Sequence, residues 1–80
     1  KLNKTVCNKI VANNNQNFIA FMLADRSIQI LNSDYSLLGI YKAHELTIND
    51  IIFSPISNSS ILFSGSEDGT IKIWDVLISK

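Results

Sequence analysis

Residues 18–32 of this 80-residue chain repeat residues 61–75 in weakened form, at an offset of 43 positions. Ile61-Leu62 falls on Phe18-Ile19, Asp68 on Asp25, Thr70-Ile71-Lys72-Ile73 on Ser27-Ile28-Gln29-Ile30, and Trp74-Asp75 on Leu31-Asn32. Self-similarity at one period marks a repeat array, and a period of about 40–45 residues is the length of a four-stranded unit. Such a unit buries its apolar faces only against neighbours of the same kind. That requirement excludes most other ways of folding so short a chain.

Strand positions follow from the β-branched runs and the punctuation between them. The pattern predicts strands over residues 5–11, 18–23, 27–31, 37–42, 48–53, 61–66 and 70–76, with a solvated loop at Asn13-Asn14-Asn15-Gln16-Asn17. Turns are expected at Asp25-Arg26, at Asn32-Ser33-Asp34 and at Glu67-Asp68-Gly69, since Asp-Gly between apolar strands is a strong hairpin signal. Pro55 stops the fifth strand, because proline cannot donate to a central ladder. No helical periodicity runs through the chain. The fold class expected is all-β: one complete four-stranded antiparallel unit over residues 1–43, and a second over 44–80 that lacks its outer strand.

Composition supports strands covered on both faces. Apolar residues make up 46% and charged residues only 18%, with continuous runs such as Phe18-Ile19-Ala20-Phe21-Met22-Leu23-Ala24. A net charge of zero gives no basic excess for a phosphate backbone, so no direct nucleic-acid contact is expected. No apolar stretch nears the roughly 20 residues of a membrane helix, and no membrane partner is expected. The single cysteine, Cys7, excludes an internal disulfide framework and fits a reduced intracellular compartment, cytoplasmic or nuclear.

Three residues look like chemistry. Ser64, His44 and Asp68 are the types of a hydrolase triad, yet no Gly-x-Ser-x-Gly elbow surrounds Ser64, which lies mid-strand in an apolar run. A second reading uses Trp74 as well: a hydrogen-bonded chain from Asp68 to His44 to Ser64 to the indole N–H leaves none of the four unsatisfied. One histidine and one cysteine supply no short-spaced ligand pair for a metal, and three glycines form no phosphate cradle, so no metal or cofactor is expected.

The stretch His44-Glu45-Leu46-Thr47-Ile48-Asn49-Asp50-Ile51-Ile52-Phe53-Ser54-Pro55, followed by Ser64-Gly65-Ser66-Glu67-Asp68-Gly69-Thr70-Ile71-Lys72-Ile73-Trp74-Asp75, resembles the WD-repeat family of β-propellers. The likeness is close over residues 42–76 and weak over 5–41. It implies a structural tetrad of His44, Ser64, Asp68 and Trp74. It also implies a non-catalytic scaffold that binds a protein or peptide on the rim, with Glu45, Leu46, Thr47, Glu67 and Ala24 as contacts. Ala43 departs from the family glycine before the histidine, and the loop at residues 56–60 is about two residues longer than the commonest form. In the first copy Phe21 stands at the serine position and Leu31 at the tryptophan position, so that unit should hold together by apolar packing. Leu77 stands where ubiquitin-ligase receptors of the family carry Arg or Lys, which speaks against that role.

Propellers close with roughly four to eight blades, so the remaining blades are expected from a longer parent chain or from other copies. Two other readings stay open at this stage: a small β-sandwich recognition domain, and a serine hydrolase using Ser64, His44 and Asp68.

Overall fold

The computed structural model describes residues 6–13, 18–56 and 59–77. Seven strands form along them: β1 (Cys7–Asn13), β2 (Phe18–Leu23), β3 (Ser27–Leu31), β4 (Leu37–Lys42), β5 (Ile48–Phe53), β6 (Ile61–Ser66) and β7 (Ile71–Asp75). No helix forms among the described residues. The strands make two antiparallel meanders, a four-stranded sheet in the order β1-β2-β3-β4 and a three-stranded sheet in the order β5-β6-β7. Every pairing joins neighbours in sequence, and the two sheets exchange no strand. Both sheets are plain meanders with no Greek-key crossover among the described residues. The architecture is the all-β one expected from the repeat.

Both ends of the chain correct the sequence-based boundaries. The first strand begins at Cys7 and continues two residues past Val11, to Asn13. Thr5, Asn14, Asn15, Gln16, Asn17 and Ile78 lie outside the described residues. Asn13, assigned to a loop by the sequence pattern, pairs with Phe18 and is buried. An asparagine is tolerated there because its amide donates to the Ser59 carbonyl at 2.9 Å, across to the second sheet. The last strand is shorter than expected. Thr70 belongs to the preceding turn, and Val76 leaves the ladder, its N–H going to the Ser60 carbonyl at 3.0 Å.

The three β-hairpin turns after β2, β3 and β6 share one local device. Each has Asp, a residue with positive φ, then Ser or Thr. Asp25 Oδ1 accepts from the Ser27 N–H (3.1 Å) and hydroxyl (2.5 Å), Asp34 Oδ1 from those of Ser36 (3.0 and 2.6 Å), and Asp68 Oδ1 from those of Thr70 (2.9 and 2.5 Å). The middle residues are Arg26 (φ 73°), Tyr35 (φ 68°) and Gly69 (φ 85°). The aspartate replaces a backbone acceptor and holds the turn, so that even Arg and Tyr are carried into the left-handed region.

The core lies between the sheets. Phe18, Ala20, Met22, Ile28, Ile30 and Tyr41 from the first face Ile48, Ile51, Phe53 and Leu62 from the second. Alternation along each strand puts one residue set on this face and the other outside. Strand β5 packs against β1 and β2. The match between the sheets is exact in register at 43 for β2 with β6 and β3 with β7: Ile19 opposite Leu31 corresponds to Leu62 opposite Trp74. For β1 with β5 the spacing falls to 41, since Lys9 faces Met22 as Asp50 faces Gly65. The connection from Phe53 to Leu62 is longer by two residues than the one from Ala12 to Ile19, which absorbs the difference.

Candidate functional site

Four side chains meet where the second sheet abuts the first. His44 follows β4 by two residues and is carried in under the β6–β7 turn. Its ring is wholly enclosed and joins two elements. Nε2 lies 2.7 Å from Ser64 Oγ on β6, and Nδ1 lies 3.2 Å from Asp68 Oδ2 and 3.1 Å from Thr70 Oγ1 in the turn. Trp74, on β7, donates its indole N–H to the same Ser64 oxygen at 3.0 Å.

The partners fix the direction of each bond. Thr70 already gives its hydroxyl proton to Asp68, so both groups facing Nδ1 are acceptors there, and the tautomer that fits them has its proton on Nδ1. Nε2 is then an acceptor for the Ser64 hydroxyl, whose oxygen accepts from Trp74. Each proton has one place to go, and no buried side-chain polar atom of the described residues lacks a partner. The Asp68 carboxyl is held far below its ordinary value of 3.8, chiefly by the Thr70 hydroxyl; desolvation, next in size, opposes this, and the Thr70 and Glu45 amides and His44 add to the lowering.

Chemically this arrangement differs from a nucleophilic site. Ser64 is 1% exposed, and its oxygen is shared between an imidazole and an indole. Attack on a substrate needs an exposed oxygen beside an oxyanion hole. Outside the network, Trp74 stacks on Tyr41 from the first sheet, with ring centroids 4.9 Å apart and planes 4° from parallel. Burial raises the Tyr41 phenol, helped by the nearby Asp75 carboxylate. Tyr41 and Thr70 extend the constellation beyond the four residues singled out from sequence. Thr70 was legible as the residue after Asp-Gly, whereas Tyr41 had no local signal because its partner lies in another sheet.

Glu45, Leu46 and Thr47 form a short exposed connection into β5, with Glu67 beside them and Ala24 at the corresponding turn of the first sheet. The carbonyls of this connection and its first amide are all hydrogen-bonded. The Glu45 N–H donates to Asp68 Oδ2 (3.2 Å), and the Glu45 carbonyl accepts from Arg26 Nη1 (3.0 Å). Ser66 Oγ donates to the carbonyls of Leu46 (3.2 Å) and Thr47 (2.9 Å), and the Glu67 N–H donates to Thr47 O at 3.0 Å. Ala24 receives its position from its own N–H, bonded to the Val6 carbonyl at 2.8 Å. Among the described residues no group of His, Cys, Asp and Glu is arranged to hold a metal ion, and no helix is long and apolar enough to cross a membrane.

Comparison with known proteins gives the same repeat. Over 59 residues the chain is 37% identical to the nuclear distribution protein PAC1 of Candida dubliniensis and 36% identical to that of Candida albicans, covering 74% of this chain and 12% of each relative. Over 45 residues it is 44% identical to the restriction of telomere capping protein 1 of Candida dubliniensis, covering 56% of this chain and 4% of that protein. The chain thus spans a small part of the length of the curated relatives it matches. No solved structure gives a significant match. Residues 35–75, half of the chain and the whole of the His44–Trp74 network, match the family described as WD domain, G-beta repeat, and the chain belongs to that family.

Proposed function

We propose that this chain is part of a non-catalytic scaffold that presents a protein-binding rim, each sheet serving as one blade, over residues 1–43 and 44–80. His44, Ser64, Asp68 and Trp74 act structurally in it, as a tetrad that locks the second blade to the loop entering it. Glu45, Leu46, Thr47, Glu67 and Ala24 form the contact surface. The observation that carries the reading is the pinned connection at residues 45–47. Its three carbonyls and the Glu45 amide are committed to Arg26, Ser66, Glu67 and Asp68, while Leu46 stays 49% exposed next to Glu45. A rigid backbone that projects a large apolar side chain into solvent loses little entropy on binding, which favours recognition. The family supports the same reading, since its repeats build interaction surfaces, and the reading places the protein inside the cell, in cytoplasm or nucleus.

The partner is a protein or peptide with an apolar side chain for Leu46 and basic groups for Glu45 and Glu67. Affinity capture with the tagged protein tests this. Leu46→Arg should lose at least half of the specifically captured partners while leaving the melting temperature unchanged. An unaltered set of partners would overturn the assignment of this rim.

A further inference from the structure

The connection that carries His44 and Leu46 is held from both sides, and the two holds differ in kind. The second sheet grips it through its turn and the end of β6. Asp68 Oδ2 takes the Glu45 N–H, and Ser66 Oγ serves the Leu46 and Thr47 carbonyls. On the other side β4 ends at Lys42, and beyond that point the hold comes from Arg26. Its backbone carbonyl accepts the Ala43 N–H at 3.1 Å, and its Nη1 donates to the Glu45 carbonyl at 3.0 Å. These two bonds bracket His44, the residue on which the buried network turns.

The turn that contains Arg26 has no use for its side chain. Asp25-Arg26-Ser27 is the repeat counterpart of Asp68-Gly69-Thr70, and Gly69 closes the same turn with no side chain at all. Both middle residues are left-handed, at φ 73° and 85°. Glycine adopts that region freely, whereas a residue with a Cβ is strained in it. Arg26 is therefore a poorer turn residue than glycine, and its guanidinium acts elsewhere, on a carbonyl 19 residues along the chain. The acceptor is neutral and the fork is planar, so one N–H is fixed in direction while the charge stays in solvent.

We propose that Arg26 is a positioning residue of the contact surface: it straps the Glu45–Thr47 connection to the turn of the first sheet and so fixes Leu46 relative to Ala24. The inference rests on reading these residues as one contact surface. Ala24 lies two residues before Arg26 in the same turn, with its own N–H tied to the Val6 carbonyl at 2.8 Å. The strap thus crosses the seam between a part of the surface on one sheet and a part on the other. A surface held in one arrangement before binding loses less entropy when a partner arrives.

Hydrogen exchange followed by mass spectrometry on the intact protein tests the strap, with no partner required. Arg26→Ala keeps the Cβ and removes the guanidinium. It should speed exchange over residues 43–47 by about five-fold, the effect of one hydrogen bond. Arg26→Gly separates the strap from the turn. Relief of the left-handed strain should keep or raise the melting temperature, yet exchange over 43–47 should still quicken. Arg26→Lys retains a long side chain with a donor and should restore most of the protection. In all three variants, peptides from the β5–β6 ladder should exchange at the wild-type rate. Unchanged exchange over 43–47 in Arg26→Gly overturns the strap and leaves Arg26 a turn residue only. An equal acceleration in the β5–β6 ladder overturns it too, as a general loss of stability. Neither result touches the rim assignment, which Leu46→Arg reads separately through captured partners.

Discussion

The two sheets solve one packing problem by different means. They share strand order, the Asp-x-Ser/Thr turn between their second and third strands, and cross-strand register. Two of their differences decide the network. Where β6 and β7 place Ser64 and Trp74, β2 and β3 place Phe21 and Leu31. The second sheet thereby gains hydrogen bonds that reach out of the sheet, through His44 to the chain that enters it. The first holds its shape by apolar contact and a complete fourth strand. Apolar contact tolerates repacking, whereas a network in which each proton has one acceptor tolerates none.

The sharpest way to break this comparison is to remove the hub of the network. His44→Ala leaves the buried Ser64 hydroxyl without its acceptor and takes from Asp68 one of its four donors. The expected loss is about 3 kcal/mol, from orphaned polar groups and the cavity together. Urea unfolding followed by tryptophan fluorescence measures it, because Trp74 is the single tryptophan. A loss below about 1 kcal/mol would show that the second sheet also relies on apolar packing alone.

A smaller effect appears with acid. The Asp68 carboxyl is depressed below its ordinary 3.8 by Thr70, Glu45 and His44, so the folded state binds a proton there less readily than the unfolded state. Its contribution is therefore complete above the ordinary value and is lost as pH falls towards the folded one. Between pH 5 and pH 2 the melting temperature of the wild type should fall, with Asp50, similarly depressed by Lys9, adding to the slope. Asp68→Asn should lower stability at pH 7 and flatten the profile below pH 4, since one proton-linked group is gone. Parallel profiles for the two proteins would remove Asp68 from the ionic account of the turn.

Much of this was legible in the sequence because the repeat is written in residue types with narrow physical roles. Asp68-Gly69-Thr70 states a turn, the alternation of Ile71, Ile73 and Trp74 states a strand, and the offset to Asp25 states a second copy. What escaped was set between sheets. The buried amide of Asn13 reads as loop until the Ser59 carbonyl opposite it is known, and the Tyr41–Trp74 stack depends on how the sheets cross. The 43-residue match also hid the spacing of 41 for the first strand of each sheet, since a longer connection between β5 and β6 is invisible to an ungapped offset.

The smallest effect isolates the turn device that both sheets share. Gly69 adopts φ 85° at no steric cost, whereas Tyr35 is driven to φ 68° and is largely exposed, with its side chain free of the core. A Cβ in the left-handed region costs roughly 1–2 kcal/mol, and the aspartate's two hydrogen bonds offset it. Tyr35→Gly removes that strain and adds some freedom to the unfolded chain, for a net gain of about 0.5 kcal/mol. The mirror substitution, Gly69→Ala, meets open space but imposes the strain, and should cost about 1 kcal/mol. Opposite signs for the two, read from urea midpoints at constant slope, would show that one backbone conformation serves both turns and that residue choice alone sets its cost. A loss on Tyr35→Gly would mean that the Asp34–Ser36 bonds do not hold the turn without the tyrosine.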